Sequence, residues 1–459
     1  MPDGGTGERK VERAPLVRGG LPIFGHALEF GRGPLDFLRR CQAQYGDIFT
    51  VRLPGARRTF LMNPFDYPAY FKHRDLAFDE FGIEVGCRVF GYNSDHVRQV
   101  EPDHVYAQLS TFMRGDPLHA MSERMQTKLE ERLISLPPGQ WYEHGLFEWA
   151  NEHVFAAGTD AIFGDGAYGE TVKGAYTTVD KHFGLLAMGI PAWMIPGCAS
   201  AQRTLAECVQ ELGPHSAQLM RERRAWFDEK GLSPVARGHI DASIMWAAQA
   251  NTVSAAFWTL LFILRDPRAR AELLEEVREI AGDSPPASPG ERLFSKADLR
   301  NMVKLDSAIT EMNRLTTAPM VPRRAERDAV LTLHDGRRIQ VTRGEDLVLF
   351  PPTVQLDPDI YDAPGEFRFD RFLSEDGRPL QWTKDGERVH FFMLPFGGGK
   401  SMCPGRYFAI NEFKITVATL LAWFDLELLS DEVPSFDLSR TGFGTYPPAS
   451  DVPFRFRRR

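Results

Sequence analysis

Phe396-Gly397-Gly398-Gly399-Lys400-Ser401-Met402-Cys403-Pro404-Gly405 is the stretch whose reading decides the fold. Its three consecutive glycines bend a loop tightly enough for the backbone to approach a flat ligand, a contact that a Cβ would obstruct. Directly after it, residues 406–424 carry the spacing of an amphipathic to fully buried helix. Cys403 therefore stands at a helix N-terminus, with Pro404 in a favoured first-turn position. Unpaired N–H groups and the helix dipole there are expected to lower the thiol pKa and hold a thiolate. An anionic sulfur in an apolar, glycine-walled loop suits a soft metal centre carried by a flat ligand, and a haem iron is the candidate. A cysteine at a glycine turn, taken alone, is more often just a small buried apolar residue.

Composition sets the outer bounds. The chain has 459 residues, 43% hydrophobic and 25% charged, which is ordinary globular composition with length for a large core. A net charge of −8 argues against a nucleic-acid partner. The five cysteines (41, 87, 198, 208 and 403) are too scattered for a disulfide framework and form no CxxC pair, which suits a reducing compartment. Residues 1–14 are polar and read as a disordered tail, leaving 15–459 as one domain. The longest apolar runs, 255–264 and 415–424, fall short of a bilayer span. The expectation is a soluble, cytoplasmic monomer without a transmembrane anchor.

Along the chain, residues 35–45 have helical spacing, and 47–53 with 58–62 read as a hairpin around Pro54-Gly55. Helices are expected over 117–134, 141–163, 205–224, 239–264, 269–281 and 305–316, with a polar linker over 283–292. Strand-like runs follow at 330–333, 338–341 and 346–350, and the segment from Gly442 to Arg457 suggests a last hairpin. Residues 183–196 form an apolar, loop-like segment that suits a substrate entrance, a membrane contact or plain core packing. Small residues cluster on one turn of the 239–264 helix near Trp246, which suits a bulky partner or close helix packing.

Phe396, Gly399, Cys403 and Gly405, spaced as they are ahead of a helix, resemble the haem-binding loop of the cytochrome P450 family. The resemblance implies a mainly α fold, a triangular helical prism with small β-sheets, enclosing one haem b. It implies Cys403 as the thiolate ligand with Phe396 beside the sulfur. Glu311-Met-Asn-Arg314 places a carboxylate and a guanidinium one turn apart. With Arg371 in Pro364-Gly-Glu-Phe-Arg-Phe-Asp-Arg371, they resemble the family's structural salt-bridge network. Arg323 matches the position whose arginine binds a haem propionate. Two departures stand out: Ser401 occupies the place where most members carry Arg or His, and residues 97–125 show no Trp-xxx-Arg pair for the propionates.

The long helix departs further. Where the family places an acid and then a threonine over the iron, this chain has Ala250 and Asn251, followed by Thr252. An amide is no proton source at neutral pH, so oxygen activation would need ordered water assisted by Thr252 or Ser254. Gln249-Ala-Asn251, Phe257-Trp258, Leu356-Asp-Pro-Asp-Ile-Tyr361 and Asp437-Leu-Ser-Arg-Thr-Gly-Phe-Gly444 resemble one branch of the family. That branch holds cholesterol 7α-hydroxylase, sterol 12α-hydroxylase and prostacyclin synthase, and the Arg/Ala/Pro richness here suits a bacterial member. The leading expectation is a monooxygenase inserting one atom of O2 into a sterol-like or other lipid or terpenoid substrate. Its electrons would come from an external ferredoxin or flavoprotein docked near Lys400 and Arg406. Trp246, residues 183–194 and Tyr446 are candidates for the substrate wall. The alternatives are a haem-thiolate isomerase or dehydratase acting on a peroxide without reductant, and a haem-binding protein without turnover.

Overall fold

The computed structural model describes residues 11–54, 56–282, 284–374, 378 and 380–459. Helices dominate, and the largest apolar cluster lies among Gly115–Leu133, Leu146–Phe163, Pro234–Arg265, Pro267–Ala281, Val303–Thr316 and Arg406–Trp423. The Pro234–Arg265 helix is the axle of that cluster, packing against the helices 146–163, 267–281, 303–316 and 406–423. Ser233 caps its start by accepting from the Ala236 N–H, with Pro234 in the first turn. Asp266 then ends it and caps the next helix through the N–H groups of Arg268 and Ala269. By length and composition this helix could cross a membrane, with mean hydropathy 1.4 over its most apolar 18 residues. Yet 72% of that window is buried inside the fold. Core packing explains its apolar character.

Among the described residues, four small sheets lie beside the helices. The largest orders Ile48–Leu53, Ala56–Leu61, Asp346–Leu349, Val321–Ala325 and Leu76–Ala77. The hairpin expected at 47–62 is therefore present, and its Gly55 lies outside the described residues, as does Asp283 of the linker.

Several expectations need correction. Residues 1–10 of the proposed tail lie outside the described residues, but Val11–Glu12 form a strand paired parallel with Arg338–Ile339. They cover an edge of the Arg338–Val341 strand that would otherwise be open. The helix expected over 141–163 begins only at Leu146, because Trp141–Gly145 is a strand on Pro453–Arg457. The helix start there is set by Asp451, whose carboxylate accepts from the N–H groups of Phe147 (2.7 Å) and Glu148 (2.9 Å). The helix expected over 205–224 is two helices, Cys198–Cys208 and Gln218–Glu229, broken around Gly213-Pro214. The last hairpin does exist, but its first strand is Phe424–Leu428 rather than the stretch after Gly442. The apolar 183–196 segment contains a short helix, Phe183–Ala187, and a turn of 3-10 helix, Ala192–Met194.

Candidate active site

Cys403 sits where the glycine loop meets the Arg406–Trp423 helix, and its N–H donates to the Phe396 carbonyl at 2.9 Å. Tightness is enforced on the other side of the loop. A Cβ at Gly398 would lie 2.6 Å from the Phe71 ring. At Gly399, where φ is +67°, it would lie 2.9 Å from both Phe71 and Arg323 Nη2. Arg323, buried on the Val321–Ala325 strand, donates from Nη2 to the Gly398 carbonyl (3.1 Å) and to Ser401 Oγ (3.1 Å). The departure at Ser401 thus has a local use: it accepts from the arginine that clamps the loop. Tyr106, on the Pro102–Phe112 helix, closes the far end by donating to the Met402 carbonyl.

The expected low thiol pKa is not what the loop produces. Burial pushes the Cys403 thiol up, against the opposing pull of the Gly405 and Arg406 backbone N–H groups and the Arg406 charge. The N–H groups do point at the sulfur as expected; the apolar surroundings outweigh them. Arg406 itself folds back, donating from Nη1 to the Cys403 carbonyl at 2.8 Å and lying over the Tyr407 ring.

Glu311, Arg314 and Arg371 come together as the motif implied. Arg314 grips Glu311 with Nε (2.7 Å) and Nη2 (2.8 Å), and Arg371 Nε donates to the same carboxylate at 2.9 Å. Glu311 and Arg314 are wholly buried. The remaining guanidinium N–H groups fasten the segment ahead of the cysteine loop. Arg314 Nη1 donates to the carbonyls of Gln355 (2.8 Å) and Pro364 (2.7 Å), and Arg371 Nη1 to that of Asp362 (2.7 Å). Gln355 passes the link onward, its Oε1 accepting from the Leu394 N–H at 3.2 Å, two residues before Phe396. A buried charge network with every partner supplied is a rigid frame.

Ala250 and Asn251 are held by the C-terminal loop. Arg440 Nη1 donates to the Ala250 carbonyl at 2.9 Å, and Asn251 Oδ1 accepts from the Thr445 N–H at 2.9 Å. Because that bond uses the oxygen, the amide nitrogen is the donor Asn251 has left to offer. The loop can approach so closely only because of Gly444, where φ is +110° and a Cβ would lie 2.1 Å from Asn251 Oδ1. Trp246, one helical turn before Ala250, stacks on Phe183 at 3.9 Å and donates to Asp180 Oδ1 at 2.8 Å. Tyr446 does not join this wall. It is buried against Phe436 (5.2 Å) in the aromatic cluster beneath the large sheet.

Thr252 faces a different neighbour. Its hydroxyl donates to the Ala248 carbonyl at 2.7 Å, and it also lies against the carboxyl of Glu412 on the post-cysteine helix. Glu412 is 1% exposed and burial pushes its pKa well above the usual carboxylate range. Burial disfavours ionisation of this carboxyl more strongly than the Thr252 contact favours it. The other Glu412 oxygen and both polar atoms of Gln249 are buried without partners. Gly158 makes this room, since a Cβ there would lie 2.6 Å from Glu412 Oε1 and 2.9 Å from Gln249 Nε2.

Comparison with known proteins fits this geometry. The cytochrome P450 profile matches residues 239–454. Over 98% of its length the chain is 32% identical to 5-beta-cholestane-3-alpha,7-alpha-diol 12-alpha-hydroxylase of Sus scrofa, covering 94% of that protein. It is also 32% identical to prostacyclin synthase of Rattus norvegicus and 30% identical to cholesterol 7-alpha-monooxygenase of Cricetulus griseus. Each alignment covers 98% of this chain, and 95% and 94% of those proteins respectively. The chain belongs to the cytochrome P450 family. Its fold is the mainly α P450 fold, its chemistry is that of a monooxygenase, and its cofactor is haem b held by a cysteine thiolate. The residues present fit that group. The glycine-walled loop presents the sulfur, and Arg323 Nε is buried without a partner, ready for an anionic edge.

Sequence reading missed Tyr106, Glu412, Gln249 and Arg440 as members of this P450 site. Tyr106 lies inside the 97–125 stretch that carries no Trp-xxx-Arg pair, and a tyrosine bonding a backbone carbonyl has no spacing signature. Glu412 falls on the already recognised post-cysteine helix, where a carboxylate amid apolar residues was the available signal.

Proposed function

We propose that Cys403 is the thiolate ligand of this P450, that Arg323 binds a haem propionate, and that Ala250 and Asn251 form the turn over the distal face. The bound haem supplies the redox centre at which O2 is activated. The chain's own residues position the substrate and manage the proton. The substrate is a sterol-like or other apolar lipid, as the names of the relatives suggest, and the electrons come from a separate ferredoxin or flavoprotein. The single observation that carries the oxygenase reading is the wholly buried carboxyl of Glu412 against Thr252, the residue that follows Asn251, where burial disfavours ionisation. Oxygen activation consumes protons, and the distal turn lacks its own acid. Glu412, whose burial favours the protonated form, stands beside Thr252 and is the acid this site offers. The folded-back Arg406 leaves Lys400, which is exposed, as the freer positive charge for docking an acidic redox partner.

The protein is proposed to be cytoplasmic, drawing its substrate from a lipid surface. Ile23 and Trp193 are each 79% exposed, beside Phe24 (54%) and Met194 (57%). The helices next to these side chains, Ala27–Arg32 and Phe183–Ala187, both touch the Leu438–Arg440 turn, which reaches Ala250 through Arg440.

The test is reductant-coupled turnover with a sterol panel, after the reduced, CO-bound spectrum has been recorded beside Cys403→Ala. A red-shifted Soret band that is lost in the variant, with product only when reductant is supplied, is expected. A second reading, an isomerase acting on a peroxide, is favoured by Asn251, whose free amide nitrogen can donate a hydrogen bond but no proton. Turnover of an endoperoxide or hydroperoxide without reductant, and no sterol product with it, would select that reading.

A further inference from the structure

Arg440 comes from the short Leu438–Arg440 turn and is 4% exposed. One of its nitrogens is committed: Nη1 donates to the Ala250 carbonyl at 2.9 Å and lies 3.4 Å from Asp180 Oδ1. The other edge is not. Nε and Nη2 are both buried and neither has a partner. Those two nitrogens share one flat edge of the guanidinium, and their N–H groups run parallel, the fork that matches the two oxygens of a carboxylate. Buried donors are rarely left unmade, and two on one charged group call for a ligand that completes them.

The surroundings narrow the ligand. The Arg440 guanidinium lies 5.3 Å from the Trp246 ring, which stacks on Phe183, and Phe183 meets Phe443 edge-on at 4.7 Å. These rings are apolar walls for hydrocarbon. Asp180 is the acidic group on this side, and its Oδ1 is shared between Trp246 Nε1 and Arg440 Nη1. It engages Nη1 and leaves the Nε/Nη2 fork untouched. The same arginine is tied to the Ala250 carbonyl, so its position is fixed relative to the turn that carries Asn251.

We propose that the Nε/Nη2 edge of Arg440 receives the carboxylate of an acidic lipid in two parallel hydrogen bonds, with Trp246, Phe183 and Phe443 beside the hydrocarbon. This deepens the proposed function and rests on its placing of Ala250 and Asn251 over the distal face. It makes the preferred substrate a lipid acid rather than a neutral sterol, and Arg440 the residue that sets which carbon is presented to the haem.

The haem-loaded protein is titrated with cholanic acid and its methyl ester, and with palmitic acid and methyl palmitate. Binding is read from the substrate-induced Soret shift and by calorimetry. At least one acid should bind about tenfold or more tightly than its ester. Arg440→Gln should bring that acid down to the affinity of its ester. Arg440→Lys can still donate to the Ala250 carbonyl but has no fork, and should lose most of the preference. The wild-type acid and ester comparison decides the matter even where a variant fails to fold. Equal affinity within both pairs, silence of all four lipids, or equal weakening of acid and ester in Arg440→Lys overturns the proposal. Failure of the underlying function is separately visible as a missing thiolate band in the wild type, whereas a normal band without acid preference overturns only the role of Arg440.

Discussion

On the Cys403 side of the haem site, Arg314 has a bonded partner for each of its three guanidinium nitrogens, and so has Arg371. On the Asn251 side, Arg440 has a partner for one. The contrast extends to the carboxylates. Glu311 is buried and accepts from two arginines, whereas Glu412 is buried, has its pKa pushed up by that burial and has one oxygen without a partner. Burying charge is tolerable where geometry supplies every counter-charge and hydrogen bond, and such a network holds one arrangement firmly. Burying polar atoms without partners is a standing cost, retained where a ligand or a proton will use them. The first wall is a frame; the second is a working surface.

That contrast can be broken most forcefully at the frame. Glu311→Ala leaves two guanidinium groups without their buried counter-charge, and should destabilise the fold by about 3–5 kcal/mol in urea unfolding, with loss of haem occupancy. On the working side, Gly444→Ala adds a Cβ at φ +110° where Asn251 Oδ1 would lie 2.1 Å away. Strain of about 1–3 kcal/mol is expected, read as a lower Tm, together with weaker lipid-induced Soret shifts as the loop is pushed off the long helix.

Glu412→Gln sharpens the comparison through pH. The folded-state pKa of Glu412 is raised above 4.5, so its stabilising contribution is complete below that value and is lost as pH rises toward the folded value. The wild-type stability should therefore fall relative to the variant above pH 4.5, at up to about 1.4 kcal/mol per pH unit. The variant should also consume reductant with less product formed.

Asn251→Ala removes the acceptor for the Thr445 N–H and should cost about 1 kcal/mol. Asn251→Asp keeps that acceptor, so stability should recover while the ratio of product to reductant still changes. The smallest effect belongs to Ser401→Ala. Arg323 Nη2 retains the Gly398 carbonyl, and a loss of about 0.5 kcal/mol with an unshifted CO-bound band is expected.

Local chemistry explains what could be read directly. The 47–62 hairpin, the long helix and the helix after Cys403 follow from side-chain periodicity and turn residues within a few positions of one another. The cysteine loop was legible because glycines at close quarters have few other uses, and the Glu311, Arg314 and Arg371 frame through its resemblance to the family's network, since a charge pair one helical turn apart is common on its own. The strand at 141–145 was not, since its partner is the Pro453–Arg457 strand and the following helix is capped by Asp451. Neither is visible in a local window.

The sequence by itself determined the family-defining loop, the buried salt-bridge frame and the absence of the usual acid and alcohol on the long helix. Tertiary structure alone decided that Gln249, Glu412 and the space at Gly158 meet between three helices. It likewise decided that Arg440 reaches Ala250 with its fork unfilled and that Tyr446 stacks on Phe436. The physical reason is range. Backbone torsions and one-turn pairings are written in neighbouring residues, whereas desolvation and unmet hydrogen bonds depend on what the rest of the chain brings within a few ångströms.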